Sequence, residues 1–297
     1  MIHFDVCHSS DSGSRYYYAV PQPPGPAVLK KRLGDELRKL RTAASITVAQ
    51  AATELGCSEG KVRHMELGRN VPSKPDLTVL MTLYGADAEV HAALEELRQA
   101  ANQRGWWSAY RLPPWLQNYV GMEADASVIS NFELELIPGL LQTEAYARAT
   151  HTRTAHLLTP PEIDRKVAAR LKRQERLTAR EPATLHAVIS EAALHRVRGT
   201  DYAADQYRRL VAMSERPNVT INVLPFSKGL HDSLSGGFFL LDFPPGVSAP
   251  VAYFEYAISG QMEDDQQIVA RLRDVFATLR EQSLGAEEST QFISEWI

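Results

Sequence analysis

Residues 47–73 read TVAQAATELGCSEGKVRHMELGRNVPS, and the punctuation of this stretch decides the N-terminal fold. Thr47 followed by Gln50 has the spacing of a capping box, which starts a helix by satisfying two of its free backbone N–H groups. Ala51, Ala52 and Leu55 then fall on the inner side of that helix. Gly56 suits the left-handed residue that stops it. Ser58 can cap a second helix, with Val62 and Met65 inward, and Pro72 closes the exit. Two short helices joined by a tight glycine turn make a helix-turn-helix. The alanines let the second helix cross the first closely. The second helix therefore projects, and it carries Lys61, Arg63 and His64 on its outer side.

Working outward, Leu33, Leu37 and Leu40 repeat at helical spacing on a preceding helix that runs from near Val28 to near Ala44. Ser73 with Asp76 starts a fourth helix, with Leu77, Leu80, Met81 and Tyr84 inward. Asp87 caps a fifth, which uses Val90, Leu94, Leu97 and Ala101. Residues 1–27 have no period, and their Ser/Gly cluster and PQPPGP run read as a disordered leader. The RYYY run inside it reads as part of a flexible tail. Residues 103–122, which contain RGWWSAYRLPPWLQNYVG, break the helical pattern and are expected to form a linker. Trp106, Trp107 and Trp115 there suit interdomain packing or an interface.

Beyond the linker, helices are expected around 123–180, in ELIPGLLQTEAYARA and IDRKVAARLKRQERL. Strand candidates follow in TLHAVIS, VTINVLPF, GGFFLLDF and VAYFEYAI. Two helices near 264–282 and 287–296 end the chain. The fold class expected is α+β: an all-α helix-turn-helix domain at 28–102, followed by an α+β domain at 123–297.

The chain has 297 residues and a formal charge of −4, which conceals an asymmetry. Residues 28–86 hold ten Lys/Arg against six Asp/Glu, whereas 87–297 hold 21 against 28. A basic unit joined to an acidic one points to a polyanion as partner of the first alone. No apolar run approaches the roughly 18–20 residues that span a bilayer, and no signal pattern opens the chain. No membrane association and a cytoplasmic location are expected. Cys7 and Cys57 lie in unrelated contexts, so neither a disulfide nor a zinc site is expected; Cys57 reads as a small buried apolar residue.

Nothing in the sequence calls for catalysis. There is no G-x-S-x-G elbow, phosphate loop or dinucleotide fingerprint. His195 follows Glu191 by four residues but has no accompanying ligand cluster. The acids Glu263, Asp264 and Asp265 suit a helix start. No enzyme, cofactor or metal is expected.

Residues 33–85 resemble the XRE (Cro/repressor-like) helix-turn-helix family through their leucines, Thr47, Gly56, Ser58, Glu66, Gly68 and Pro72. The later segment resembles the DUF5753 domain of Scr1-family antitoxin-like regulators from actinobacteria. It does so through IPGLLQTEAYARA (137–149), AARLKRQ (168–174), ISEAALHR (189–196) and NVTINVLPF (218–226). The resemblance implies a transcription regulator that binds double-stranded DNA with the helix at about 58–67 in the major groove. Arg41 and Glu66 occupy positions that pair internally in the repressor family, although a phosphate contact by Arg41 stays open. Ser58, Glu59, Gly60, Lys61 and His64 occupy groove-facing positions. Lys61 could reach guanine or phosphate, His64 a base or phosphate, and Glu59 a cytosine amino group. Arg63, Arg69, Asn70 and Lys74 suit contacts to the DNA backbone, and Thr47 is a further DNA-binding candidate.

Two departures from the family pattern weaken base readout. Val48 stands where the family often has Gln, and Gly60 offers no side chain. An antitoxin-like, protein-binding adaptor with little DNA affinity is therefore the alternative. A homodimer is expected, because one short helix gives too little affinity; half-sites would lie about one helical turn apart. The C-terminal domain is expected to carry the dimer contact, and the resemblance implies a small DUF397-type partner protein. Gln142, Glu144, Tyr146 and Arg148 are candidates for a pocket or partner surface, on a helix expected to start at Pro138.

Overall fold

A computed structural model describes residues 23–153 and 158–297. The expected leader, with its RYYY run and Cys7, lies through residue 22 outside the described residues. The N-terminal module is α1 (Pro26–Ala43), α2 (Val48–Glu54), α3 (Glu59–Glu66), α4 (Lys74–Leu83) and α5 (Ala88–Ala101). Thr47 and Gln50 form the reciprocal capping box. Ser58, Ser73 and Asp87 each accept a backbone N–H at the start of α3, α4 and α5. Gly56 is left-handed, at φ +60°. Leu33, Leu37, Ala51, Val62, Met65 and Leu80 are among the residues that fill this module's core. Cys57, a free thiol, is only half-buried at its margin.

The segment 103–122 is structured. It holds a 3₁₀ turn, Trp106–Tyr110, and most of α6 (Pro114–Asp125). Trp107, Tyr119, Val120 and Met122 are buried in the core of the second domain. Paired prolines at 113 and 114 start a helix here, because a proline at the first helical position lacks only an N–H that would have no partner anyway. The remaining elements are β1 (Val128–Glu133), α7 (Glu144–Thr152), α8 (Pro160–Gln174), β2 (Thr184–Ser190), α9 (Glu191–Val197), α10 (Ala203–Ser214) and β3 (Val219–Leu224). β4 (Phe238–Asp242), β5 (Val251–Glu255), β6 (Gly260–Glu263), α11 (Gln266–Gln282) and α12 (Ala286–Ser294) complete them.

The six strands form one sheet in the order β3-β2-β1-β4-β5-β6. β1, β2 and β3 are parallel, and β4, β5 and β6 are antiparallel to their predecessors in that order. Ile129, Leu185, Ile221, Leu241 and Tyr253 point to the face that meets α6, α8, α10 and α12. Phe132, Val188, Phe238 and Ala252 point to the face covered by α11. The strand β1 falls inside a region expected to be helical. Its apolar Ile129 and Phe132 flank Ser130 and Asn131, so the sequence lacks a clean strand period. Pairing with β2 and β4 on both sides is what makes it a strand. β6, Gly260–Glu263, carries no pattern at all and is set by its hairpin with β5.

Helix α1 belongs to both cores. Ala27 and Val28 are buried among Trp107, Tyr119 and Val120, while Leu33 and Leu37 are buried among α2–α5 residues. A Cβ on Gly121 of α6 would lie 2.4 Å from the Ala27 Cβ, so only glycine lets the two helices meet. At the helix start, Gly25 N–H donates to Asp125 Oδ2 at 2.8 Å. One turn on, Lys31 Nζ lies 2.5 Å from Asp35 and 2.8 Å from Asp264. α6 itself is clamped to α8: Arg173 makes a bidentate pair with Glu123 at 2.6 and 2.7 Å, and Tyr119 donates to Glu123 at 2.6 Å.

The middle of α1 receives α3. A Cβ on Gly34 would lie 2.5 and 2.6 Å from the carbonyl oxygens of Glu66 and Met65. A Cβ on Gly68, at φ +66°, would lie 2.6 Å from the Lys31 Cα. The Gly34→Ala substitution should therefore cost about 2 kcal/mol of stability, since overpacking of this kind outweighs the gain in helix propensity. Gly56→Ala, in open space, should cost only about 1 kcal/mol for its left-handed backbone. Urea denaturation of the two variants measures both, and equal costs would mean that α1 and α3 are not in close approach.

Asp125 gives a pH signature of the junction. Burial pushes its carboxyl up to about 6 from 3.8, against the Gly25 hydrogen bond. The folded state thus holds the proton more tightly than the unfolded chain. Its contribution is greatest below 3.8 and is lost as pH rises through about 6. Asp125→Asn should remain level across that interval where the parent loses about 1–2 kcal/mol relative to it, after allowing for partial exposure. Thermal unfolding at several pH values reads the difference.

Candidate nucleic-acid interface

α3 buries Val62, Met65 and Glu66 and exposes Ser58, Glu59, Gly60, Lys61, Arg63 and His64. The division follows from helical spacing, with the buried side pressed on α1 and α2. Because Gly34 and Gly68 fix the last turn of α3 against α1, its first turn is the part that projects. A Cβ on Gly60 would meet only Ser58 Oγ, at 3.7 Å. A backbone surface there is open to close approach.

Arg41 and Glu66 are brought together beneath this face. Arg41 donates to both Glu66 carboxylate oxygens, at 2.5 and 3.0 Å, and to the Ile46 carbonyl at 2.9 Å. The Glu66 hydrogen bond holds the Arg41 guanidinium above its ordinary value. Tyr84, buried beside the pair, is pushed up to about 12 by burial and by the Glu66 charge. This geometry ties the end of α1 to the end of α3, and it engages Arg41 inside the module.

The exposed cations divide into two groups. Lys61 pairs with Asp76 at 2.9 Å, and Arg63 with Glu59 at 3.1 Å. The first contact raises the Lys61 ammonium and lowers the Asp76 carboxyl, mainly through their mutual hydrogen bond. Asp76, read from sequence as a capping acid, is thus also the partner of a candidate base-reading lysine. Among the described residues, Arg69 and Lys74 make no ion pair and are exposed, as are His64 and Asn70. Arg69 lies away from the projecting turn, in a narrow crevice with Lys31, Asn118, Met262 and Asp264. Arg32, Arg38 and Lys39 of α1 line a separate crevice of about 560 Å³ against Gly246–Ala249.

Thr47 and Ser58 each accept a backbone N–H of their own helix. Their hydroxyl hydrogens remain available to a phosphate oxygen. Surface ion pairs such as Lys61–Asp76 and Arg63–Glu59 are worth only about 0–1 kcal/mol. A good bidentate base contact is worth about 1–3 kcal/mol, so both cations can be transferred to a nucleic acid.

The four candidate residues at 142–148 are not gathered into one surface. Gln142 is buried, donating to the Ile137 carbonyl and accepting from Arg170 at 2.6 Å. Tyr146 is buried, and its hydroxyl accepts from Ile137 N–H. Glu144 and Arg148 are exposed, with Arg148 bridging to Asp164 at 2.6 Å. The helix starts at the Thr143 cap and not at Pro138, which precedes a 3₁₀ turn. Gln142 and Tyr146 therefore hold that turn in place. His195 contacts Glu191 at 3.2 Å. No group of three or more His, Cys, Asp or Glu is placed to hold a metal among the described residues, and no described helix is long and apolar enough to cross a membrane.

A family described as a helix-turn-helix domain matches residues 32–94, which covers α2, α3 and α4 with most of α1 and the first half of α5. Such a domain is a DNA-binding element of regulators. A second family, described as a domain of unknown function, matches residues 116–295. No curated protein and no solved structure matches the chain. The second match takes in the whole sheet and more than half of all residues, and the chain belongs to the DUF5753 family, with a helix-turn-helix domain ahead of it.

Proposed function

We propose that the chain is a sequence-specific transcription regulator whose α3 docks in the major groove of double-stranded DNA. The observation that carries this reading is the continuous outer face of α3, from Ser58 to His64, held from behind by Gly34, Met65 and the Arg41–Glu66 pair. A major groove about 12 Å wide admits such a helix. Lys61 and His64 reach base edges, with Gly60 allowing the backbone close. Thr47, Ser58, Arg63, Asn70 and Lys74 hold phosphates, and Arg69 joins them only at the edge of the footprint. Glu59 favours its own helix start and selects against a misplaced phosphate.

One module of this size supplies too few contacts for a specific site, so the regulator works as a homodimer formed through its C-terminal domain. A small partner protein of the DUF397 type fits the family resemblance as a further ligand of that domain. The location is cytoplasmic, where the DNA is.

The internal pairing of Lys61 and Arg63 also suits the alternative, an antitoxin-like adaptor that leaves both cations on their carboxylates. Titration of the protein against fragments of its own upstream DNA, at several salt concentrations, separates the two. The regulator should retain one fragment selectively, with affinity falling steeply as salt rises. Lys61→Ala/Arg63→Ala should lower the salt slope by about 1 through the lost Arg63 phosphate contact, at roughly 0.9 per contact, and should abolish selection through the lost Lys61 base contact. Equal binding by the double variant, or no preferred fragment, would favour the adaptor.

A further inference from the structure

Most of the large apolar side chains left exposed among the described residues gather at one end of the sheet. β1, β2 and β3 are parallel, and β5 runs the same way as β1 because β4 opposes both. Three loops therefore leave the carboxyl end: residues 134–138 after β1, 225–237 after β3 and 256–259 after β5. They carry Leu136, Phe226, Leu230, Leu234, Tyr256 and Ile258, which are 45–82% exposed.

These loops are neighbours. The His231 ring packs edge-on against Phe132 at 5.5 Å. Gly237 backs onto the Phe132 carbonyl and Glu133. Glu135 pairs with Arg196, next to the His195 ring that stacks on Phe226 at 5.3 Å. Phe239 of β4 is in register with both Asn131 and Tyr253, which places the 256–259 turn beside the same end. The N-terminal module occupies the opposite end. α1 meets Asp125 just before β1, Asp264 just after β6, and the 246–249 loop between β4 and β5.

We infer that this rim, at the pole away from α3, is the surface on which a second copy of the chain docks. The inference rests on the dimeric reading above and names its surface. With 150–250 Å² for a large side chain, the six exposures amount to roughly 700 Å². That exceeds the usual largest patch of a monomer and approaches the ~800 Å² per partner that a stable complex buries. The rim also carries both charge signs. Lys228 and Asp232 are exposed in the loop after β3, and Glu255 is exposed at the end of β5. A two-fold copy brings opposite charges into register around an apolar centre, whereas a strongly acidic or strongly basic partner finds no complement. Docked end to end, the two copies place their N-terminal modules at opposite ends of the dimer, separated by at least two sheet lengths. At six residues per strand that is about 40 Å, so the half-sites are more than one helical turn apart.

Sedimentation velocity over a concentration series tests this, comparing the full chain with Leu230→Asp/Ile258→Asp. Both positions are more than three-quarters exposed, and circular dichroism checks that the variant keeps its fold. The parent should self-associate, and the variant's dimer dissociation constant should rise roughly 100-fold or more. A folded variant that dimerises as tightly as the parent would overturn the rim and leave the dimer itself standing. A parent that stays monomeric at concentrations where it binds its DNA selectively would overturn both.

Discussion

Helix α1 is packed into two cores at once, and the rest of the molecule depends on that. Ala27 and Val28 are buried with α6 and the Trp106–Tyr110 turn, and Leu33 and Leu37 with the helix-turn-helix. A rigid helix cannot tilt relative to one core without disturbing the other, because interiors are close-packed. Two glycines set its neighbours at contact distance: Gly121 brings α6 onto its first turn, and Gly34 brings α3 onto its middle. The direction in which α3 projects is therefore fixed by the C-terminal domain through one continuous element. α6 is in turn held by the buried Arg173–Glu123–Tyr119 group, whose disruption would leave a buried charge without its partner, at a cost of about 3–5 kcal/mol.

Two kinds of ion pair do different things on this frame. Arg41–Glu66 is largely shielded from water, bidentate and shared with the Ile46 carbonyl. It fixes the junction of α1 with α3. Lys61–Asp76 and Arg63–Glu59 are on the surface, where water competes with them, and they yield readily to a polyanion. Such pairs tune the field of the free module while leaving its docking surface available. Its excess of cations is modest, which suits weak nonspecific attraction with selection left to shape and a few base contacts.

The N-terminal module was legible because its information is local. Thr47 with Gln50, Gly56, Ser58, Ser73 and Asp87 mark helix ends by chemistry that acts within a turn or two. The strands β2, β3, β4 and β5 were legible from their apolar runs. β1 was not, since Ser130 and Asn131 interrupt it and its stability comes from neighbours more than fifty residues away in sequence. The span 103–122 reads as a linker because aromatic, glycine and proline residues disrupt periodicity; Trp107 and Gly121 instead serve long-range packing. At the interface, exposure of Lys61, Arg63 and His64 follows from helical spacing alone. The capture of Lys61 by Asp76 across the α3–α4 loop, and the burial of Gln142 and Tyr146, depend on tertiary geometry that no local pattern encodes.

Native-state hydrogen exchange on the full chain tests the shared-helix account most directly. If α1 joins the two cores, the amides of Leu29–Arg32 and of Leu37–Leu40 open with the same free energy. Those of α3 and of β1 then follow in one cooperative step. Exchange of α1 through α5 at a distinctly lower free energy than β1, with the Ala27–Lys31 turn releasing alongside them, would contradict it and make the helix-turn-helix an independent module.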